Sequence, residues 1–392
     1  MKVEWNPRFR EIDDTYLFAK TAALARACAA KHPERRVISL GIGDVTRPLP
    51  SVAVNAMMNA AREMGEEPSF RGYPPDGGYP FLRAAISAHY RRFGAQVSVD
   101  DIFASDGTKS DLGNFYDILG STPVLLSNPV YPVWRDAGIL AGASIGFLTG
   151  RPENGFLPTP EGLPDRPFVI CLCSPNNPTG SAFTYDGLGA WVSFARRTGS
   201  LILMDAAYSA FVGRGMPRTV YEIEGAETCA VEFGSFSKMA GFTGVRCSWT
   251  VVPHALDGGI PRALWARRQS TKFNGVGYIT ARGAEAVLSD GGRVQCNANI
   301  AYYRENAGML TDLLTQKGIP FTGGKHAPYV WFRTPRGTSS MQAFTYLLEE
   351  AGVVSTPGSG FGEAGEGYLR LTAFASHADT QEAVSRLQTV LC

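Results

Sequence analysis

The chain is short of the residues that several functions require. Only five of its 392 residues are histidine, and no Cys/His grouping has the spacing of a zinc site. Seven cysteines are too few, and odd in number, for a disulfide scaffold. Cys171 and Cys173 alternate within an apolar run, which reads as a strand and not as a redox pair. Apolar runs such as Phe168–Cys173 and Leu201–Met204 fall far short of the ~20 residues of a membrane helix. Met1–Phe9 is polar and lacks the apolar core of a secretory leader. The 37 basic residues nearly cancel the 36 acidic ones, and a formal charge of +1 argues against binding nucleic acid through bulk charge. Lysine is scarce at 8 residues against 29 arginines, so each lysine can be inspected individually. These absences predict a reduced, cytoplasmic enzyme that engages neither membrane nor nucleic acid and holds no metal.

What is present suits a large core. Hydrophobic residues make up 44% and charged residues 19%. At roughly 150 residues per domain, the length predicts two or three domains. No internal repeat or low-complexity linker interrupts the chain. The first residues read as an arm and an amphipathic helix, followed by the helix-incompatible Ser39–Asp44. Short apolar runs then alternate with helical patterns. Val124–Ser127, Phe168–Cys173, Leu201–Asp205, Ala230–Phe233 and Ser248–Val252 read as strands. Leu112–Leu119, Leu188–Arg197 and Ala263–Leu288 read as helices. That alternation predicts an α/β fold with a mostly parallel sheet covered on both faces. Beyond about residue 291 the pattern becomes α+β: a helix at Gln295–Lys317, a strand at Tyr329–Phe332, a helix at Ser340–Ala351, a strand at Tyr368–Thr372 and a helix at Asp379–Leu391. The expected organisation is an arm and part of a small domain over 1–50, a large domain over 51–290, and a small C-terminal domain over 291–392.

Polar residues that follow buried parallel strands gather at the carboxyl edge of the sheet, where such folds bind ligands. Ser174–Gly180, with Asn177, ends one apolar run. Asp205, with Tyr208 close behind, ends another about thirty residues later. Lys238, in Gly234–Ser235–Phe236–Ser237–Lys238, follows a third. A lysine amine there could form a Schiff base, while the serine hydroxyls and Arg246 collect a phosphate. Arg370 lies inside an apolar strand, where a lone guanidinium is costly, so it wants a carboxylate.

In order and spacing these motifs resemble the fold-type-I pyridoxal-phosphate aminotransferases over nearly the whole chain. Within that superfamily the closest resemblance is to the LL-diaminopimelate aminotransferases. It rests on Leu40–Pro50, Ser105–Lys109, Gln269–Val276 and Thr356–Gly362. The resemblance implies a seven-stranded, mostly parallel sheet flanked by helices, with a smaller α+β domain. It implies pyridoxal 5′-phosphate as cofactor, held covalently by Lys238, whose freed amine then moves the substrate Cα proton. Asp205 would pair with the pyridine nitrogen, Tyr208 and Asn177 would bond the ring hydroxyl oxygen, and Tyr131 would stack on the ring. Thr108, Lys109, Ser235, Ser237 and Arg246 would hold the phosphate. Arg370 would grip the α-carboxylate, and Lys109 would also face the substrate carboxylates. Tyr73 would reach a neighbour's phosphate, and Asn274, with Tyr16 and Gly43, would bind substrate, which implies a homodimer with shared sites.

The chain departs from the family beside these positions. Gly72–Gly78 carries Asp76 where members carry a glutamate that recognises the distal ammonium of diaminopimelate, and Pro74 and Gly77 alter that loop. Gly234 replaces a common arginine, Met239 a common threonine, and the strand after Arg246 carries Trp249. Trp134 and Arg135 replace a more usual Tyr-Val pair. The resemblance implies amino transfer between LL-2,6-diaminopimelate and 2-oxoglutarate, in amino-acid biosynthesis. An alternative keeps fold and cofactor but runs β/γ-elimination or replacement on S-adenosylmethionine or another amino acid.

Overall fold

A computed structural model describes residues 3–12 and 17–391. Seven strands form one sheet in the order Ile102–Ser105, Ser248–Val251, Ala230–Ser235, Leu201–Asp205, Val169–Cys173, Val124–Asn128, Ile145–Thr149. Ser248–Val251 runs antiparallel to both of its neighbours, and the remaining pairings are parallel. The mostly parallel, seven-stranded α/β sheet expected from the sequence is therefore present.

The inner strands read as continuous apolar runs because helices cover both faces. Alternate residues still separate by face. Leu126, Cys171, Leu203 and Val231 pack with Leu112, Trp134 and Trp265 on one side. Leu125, Ile170, Ile202 and Ala230 pack with Leu188, Trp191 and Ala195 on the other. Helix Tyr185–Thr198 shows how local signals set these covers. The Thr184 side chain accepts the Gly187 amide at 3.1 Å to open it, and Gly199 at φ 69° closes it.

The segment expected as one helix over 263–288 is two, Ile260–Lys272 and Tyr278–Leu288. Apolar periodicity continues across the gap, but Gly275 adopts φ 80° and turns the chain. Strands Ile102–Ser105 and Ile145–Thr149 also went unread. The first is four residues long, and the second is an edge strand with a weak burial pattern.

A second sheet is antiparallel, in the order Thr356–Pro357, Tyr368–Thr372, Tyr329–Arg333, Phe321–Gly323. The 27-residue helix Asp290–Gln316 leads to it. Strand Ile38–Ser39 pairs in parallel with Val353–Val354, so the N-terminal segment joins this smaller unit. Leu40 shares one core with Leu310, Val330, Phe344, Leu369 and Leu387.

Gly234 and Trp249 are register partners on adjacent strands. A Cβ at 234 would overlap the Trp249 indole. That indole is buried, and its Nε1 donates to Tyr90 Oη at 2.9 Å. Tyr90 Oη in turn donates to Glu232 at 2.7 Å. The indole thus occupies the space a side chain at 234 would need. Gly234→Ala is expected to destabilise the fold by ~1–3 kcal/mol, and Trp249→Leu to relieve much of that loss. A double-mutant cycle by denaturant unfolding reads the coupling.

Candidate active site

Parallel strands place the residues that follow them at one edge. Val169–Cys173, Leu201–Asp205 and Ala230–Ser235 are neighbours in the sheet and run in one direction. Their carboxyl ends therefore bring Asn177, Asp205, Tyr208 and Lys238 together. All four line a cavity of about 420 Å³ with Thr108, Lys109, Tyr131, Ser235, Ser237, Arg246, Arg370 and Gly43. Sequence reasoning named every one of these.

Lys238 sits in the five-residue helix Phe236–Ala240, opened by Ser235 Oγ accepting the Ser237 amide at 3.1 Å. Its Nζ donates to Gly43 O and lies 5.3 Å from the centre of the Phe374 ring. Burial pulls the amine down to about 8; Asp44 opposes the shift, and Arg370 and Arg246 add to it. An amine so placed is unprotonated near neutral pH far more often than an ordinary lysine, which makes it the better nucleophile and base there.

Asp205 is buried and accepts the Ala207 amide at 3.0 Å. Desolvation raises its carboxyl to about 6, against the backbone bond and the nearby Cys173 thiol, which lower it. No cationic side chain answers this carboxylate among those causes. It fits a ring nitrogen that carries a proton. Tyr208 and Tyr329 share a hydroxyl–hydroxyl bond of 2.6 Å, and burial keeps both phenols protonated.

The phosphate corner is built around the start of helix Thr108–Phe115. Gly107 precedes it at φ 151°, and a Cβ there would strike the Arg246 guanidinium. Arg246 itself holds φ 62°, a conformation costing about 1–2 kcal/mol for a non-glycine residue. Its Nη1 donates to Thr243 O at 3.1 Å and to Ser237 Oγ at 3.5 Å. Thr108 Oγ1 donates to Gly234 O at 3.0 Å, tying the helix start to the strand that leads to Lys238. Asp111 anchors the same turn. It is buried, accepts from Ser105, from Thr250 at 2.9 Å and from Ser248 at 3.3 Å, and desolvation raises it to about 7. A helix start, two serines and an arginine make a dianion cradle. With Asp205 on the same cavity and the Lys238 amine beside it, the set fits pyridoxal phosphate.

Arg370 is fully buried. Its Nη1 donates to Asn177 Oδ1 at 2.6 Å and its Nη2 to Gly41 O at 2.7 Å. The guanidinium lies 4.3 Å from the Tyr329 ring centre. Sequence reasoning missed Tyr329 and Asp44, which line the cavity too. Tyr329 was visible only as a strand residue. Its hydroxyl also explains Gly43, where a Cβ would overlap it.

Tyr73, Asp76 and Asn274 do not line this cavity. All three are exposed, Tyr73 by 88%. Their loops touch, since a Cβ at Gly275 would lie 2.8 Å from Pro75 O. Tyr16 lies outside the described residues. Among the described residues no group of three or more His, Cys, Asp and Glu could hold a metal ion, and no helix is long and apolar enough to cross a membrane.

A family model of class I and II aminotransferases matches residues 35–387. The chain is 46% identical to the LL-diaminopimelate aminotransferase of Prochlorococcus marinus (strain MIT 9303), covering 99% of this chain and 100% of that one. It is 44% identical to the enzyme of the same name from Lachnospira eligens, covering 98% and 99%. The solved L,L-diaminopimelate aminotransferase from Chlamydomonas reinhardtii superposes with a TM-score of 0.94 at 39% identity, over 100% of both chains. Substrate-bound BacF from Bacillus superposes at 0.85 with 28% identity, over 99% and 98%.

Two outcomes test the electrostatics. In apoprotein, the rate of cofactor recapture should rise with pH about a midpoint near 8, not near the ordinary lysine value. Asp44→Asn removes the charge that raises the amine and should move that midpoint down. Asp205 binds its proton more tightly folded, at about 6, than unfolded, at about 3.9. Apoprotein therefore loses stability as pH rises through that interval. Asp205→Asn should be more stable than wild-type apoprotein above pH ~7, by on the order of 3 kcal/mol, with no gain below pH ~4. Urea unfolding of both apoproteins at two pH values decides it.

Proposed function

Because the chain belongs to the class I and II aminotransferase family and is a pyridoxal-phosphate-dependent aminotransferase, we propose that it transfers an amino group between LL-2,6-diaminopimelate and 2-oxoglutarate. The observation that carries the reading is full-length identity of 46% to an LL-diaminopimelate aminotransferase. The convergence of Asn177, Asp205, Tyr208, Lys238 and Arg370 on one cavity supports it. The product ketone would cyclise to tetrahydrodipicolinate. Amino transfer, and not elimination or replacement, is the reading these relatives favour.

Bound pyridoxal phosphate supplies an electron-withdrawing ring that stabilises negative charge at the substrate Cα. Asp205 holds a proton at the pyridine nitrogen. Thr108, Lys109, Ser235, Ser237 and Arg246 would hold the cofactor's phosphate, and Tyr131 would hold its ring. Tyr208 and Asn177 direct hydrogen-bonding groups at the ring hydroxyl oxygen. Tyr329 orients the Tyr208 hydroxyl through their shared bond. Arg370 binds the α-carboxylate, with its plane set by Asn177, Gly41 and the Tyr329 ring. Lys238 Nζ would be the group that takes the proton from the substrate Cα and returns it.

The distal end of the substrate is assigned to Lys109 and to residues of a second copy. Tyr73, Asp76 and Asn274 stand on two touching loops outside this chain's own cavity. A homodimer in which those loops complete the neighbour's site accounts for their exposure. Tyr16 and Gly43 complete the substrate contacts in the same reading. In the same reading, 1–50 with 291–392 form one unit and 51–290 the other, with the cavity between them. A cytoplasmic location belongs to the same proposal.

Holoenzyme given LL-diaminopimelate and 2-oxoglutarate should form one glutamate per diaminopimelate consumed, with glutamate absent when S-adenosylmethionine replaces diaminopimelate. Turnover with S-adenosylmethionine alone would overturn the reading. Arg370→Ala should lower kcat/KM by a factor on the order of 10²–10³, as expected for loss of a buried guanidinium–carboxylate pair. Asp76→Ala should raise KM for diaminopimelate more than for glutamate.

A further inference from the structure

On the far side of the helix that carries Lys238 lies a second cavity of about 410 Å³. Met239, next to Lys238, and Ser209, next to Tyr208, form part of its wall. Arg92, Arg218, Arg293 and His89 line it as well, and no Asp or Glu does. The three arginines come from separate parts of the chain: the end of helix Pro80–Arg91, the loop before Thr219, and the first turn of helix Asp290–Gln316.

Their existing partners leave donors over. Arg92 and Arg293 share one carboxylate, Asp290, which is 86% exposed at the rim. Arg293 Nη1 also donates to Leu288 O at 2.8 Å. Arg218 Nη2 donates to Val212 O at 3.1 Å, and its guanidinium sits 5.2 Å from the Phe93 ring centre. A second, independent feature is His89. Its Nδ1 is buried with no hydrogen-bond partner among the described residues. Burial and the three arginines pull its imidazole down to about 4, so it is neutral in the empty cavity. With the ring proton on Nδ1, that buried and unpartnered atom is a spare hydrogen-bond donor beside the guanidiniums. Three guanidiniums on one cavity, with one exposed carboxylate ion-paired among them, repel one another and attract an anion.

We propose that this cavity is a binding site for a small oxyanion bearing phosphate or carboxylate groups, separate from the catalytic cavity. Arginine forks match both groups in bidentate geometry. Phe93, Val287 and Ile300 add apolar wall, which leaves room for an organic body on the anion.

Calorimetric titration of the holoenzyme, whose phosphate cradle is already filled, tests this. Inorganic pyrophosphate and citrate serve as probes, one for each chemical source. Wild type should bind at least one of them saturably, one per chain. Arg92→Gln and Arg293→Gln, both at the rim, should each weaken that binding about tenfold, the cost of one charge-assisted hydrogen bond. Arg218→Lys, at the back, should weaken it similarly. Asp290→Asn should tighten it, because it frees Arg92 and Arg293. Turnover without anion should be unchanged in the rim variants. Absence of saturable binding of either probe at millimolar concentration overturns the proposal. So does binding that Arg293→Gln and Asp290→Asn leave untouched, since the anion then sits elsewhere.

Discussion

The structure turns on keeping a carboxylate and an amine at the largely buried edge of a sheet. Asp205 and Lys238 follow strands whose neighbours are almost wholly apolar. Burial acts on the two in opposite directions, raising the acid to about 6 and lowering the amine to about 8. Both shifts move each group towards its neutral form. The surrounding core, packed on both faces of the sheet, holds them in place against that cost. A ligand with a protonated ring nitrogen and a carbonyl answers both groups at once, which is why one cofactor suits the cavity.

The remaining contacts bind two sheets into one site. Tyr208 belongs to the large sheet's edge and Tyr329 to the small antiparallel sheet, and their hydroxyls meet at 2.6 Å. Asn177 and Arg370 repeat that cross-link at 2.6 Å. Gly43 is held in the same seam, under the Tyr329 hydroxyl and against Lys238. The groups proposed to hold the cofactor thus come from the large sheet, and the guanidinium proposed to grip the carboxylate comes from the small one.

Much of this was readable in the sequence because strand ends are marked by punctuation. Leu201–Asp205 emerged at its full extent, and Asn177, Tyr208 and Lys238 follow apolar runs in the expected rhythm. What was not readable depends on tertiary placement. Tyr329 reads as one more aromatic of a buried strand until the small sheet brings it to Tyr208. Asp44 follows a glycine turn and acts only through its distance to Lys238. Glu232 and Asp111, both raised to about 7 by burial, look like ordinary surface acids in sequence. That Trp249 fills the space beside Gly234 shows only in the strand register. Tyr73, Asp76 and Asn274 are the opposite case: their motif was legible, and their place in a single chain is on the outside.

The central claim is that Lys238 is the residue that binds the cofactor covalently. Borohydride reduction of the holoenzyme followed by peptide mass spectrometry tests it most directly. The account predicts that the cofactor mass is found on the peptide containing Lys238, and that Lys238→Ala, folded by circular dichroism, carries none. Cofactor fixed instead to Lys109, which lines the same cavity, or retained covalently by the folded Lys238→Ala protein, would contradict it.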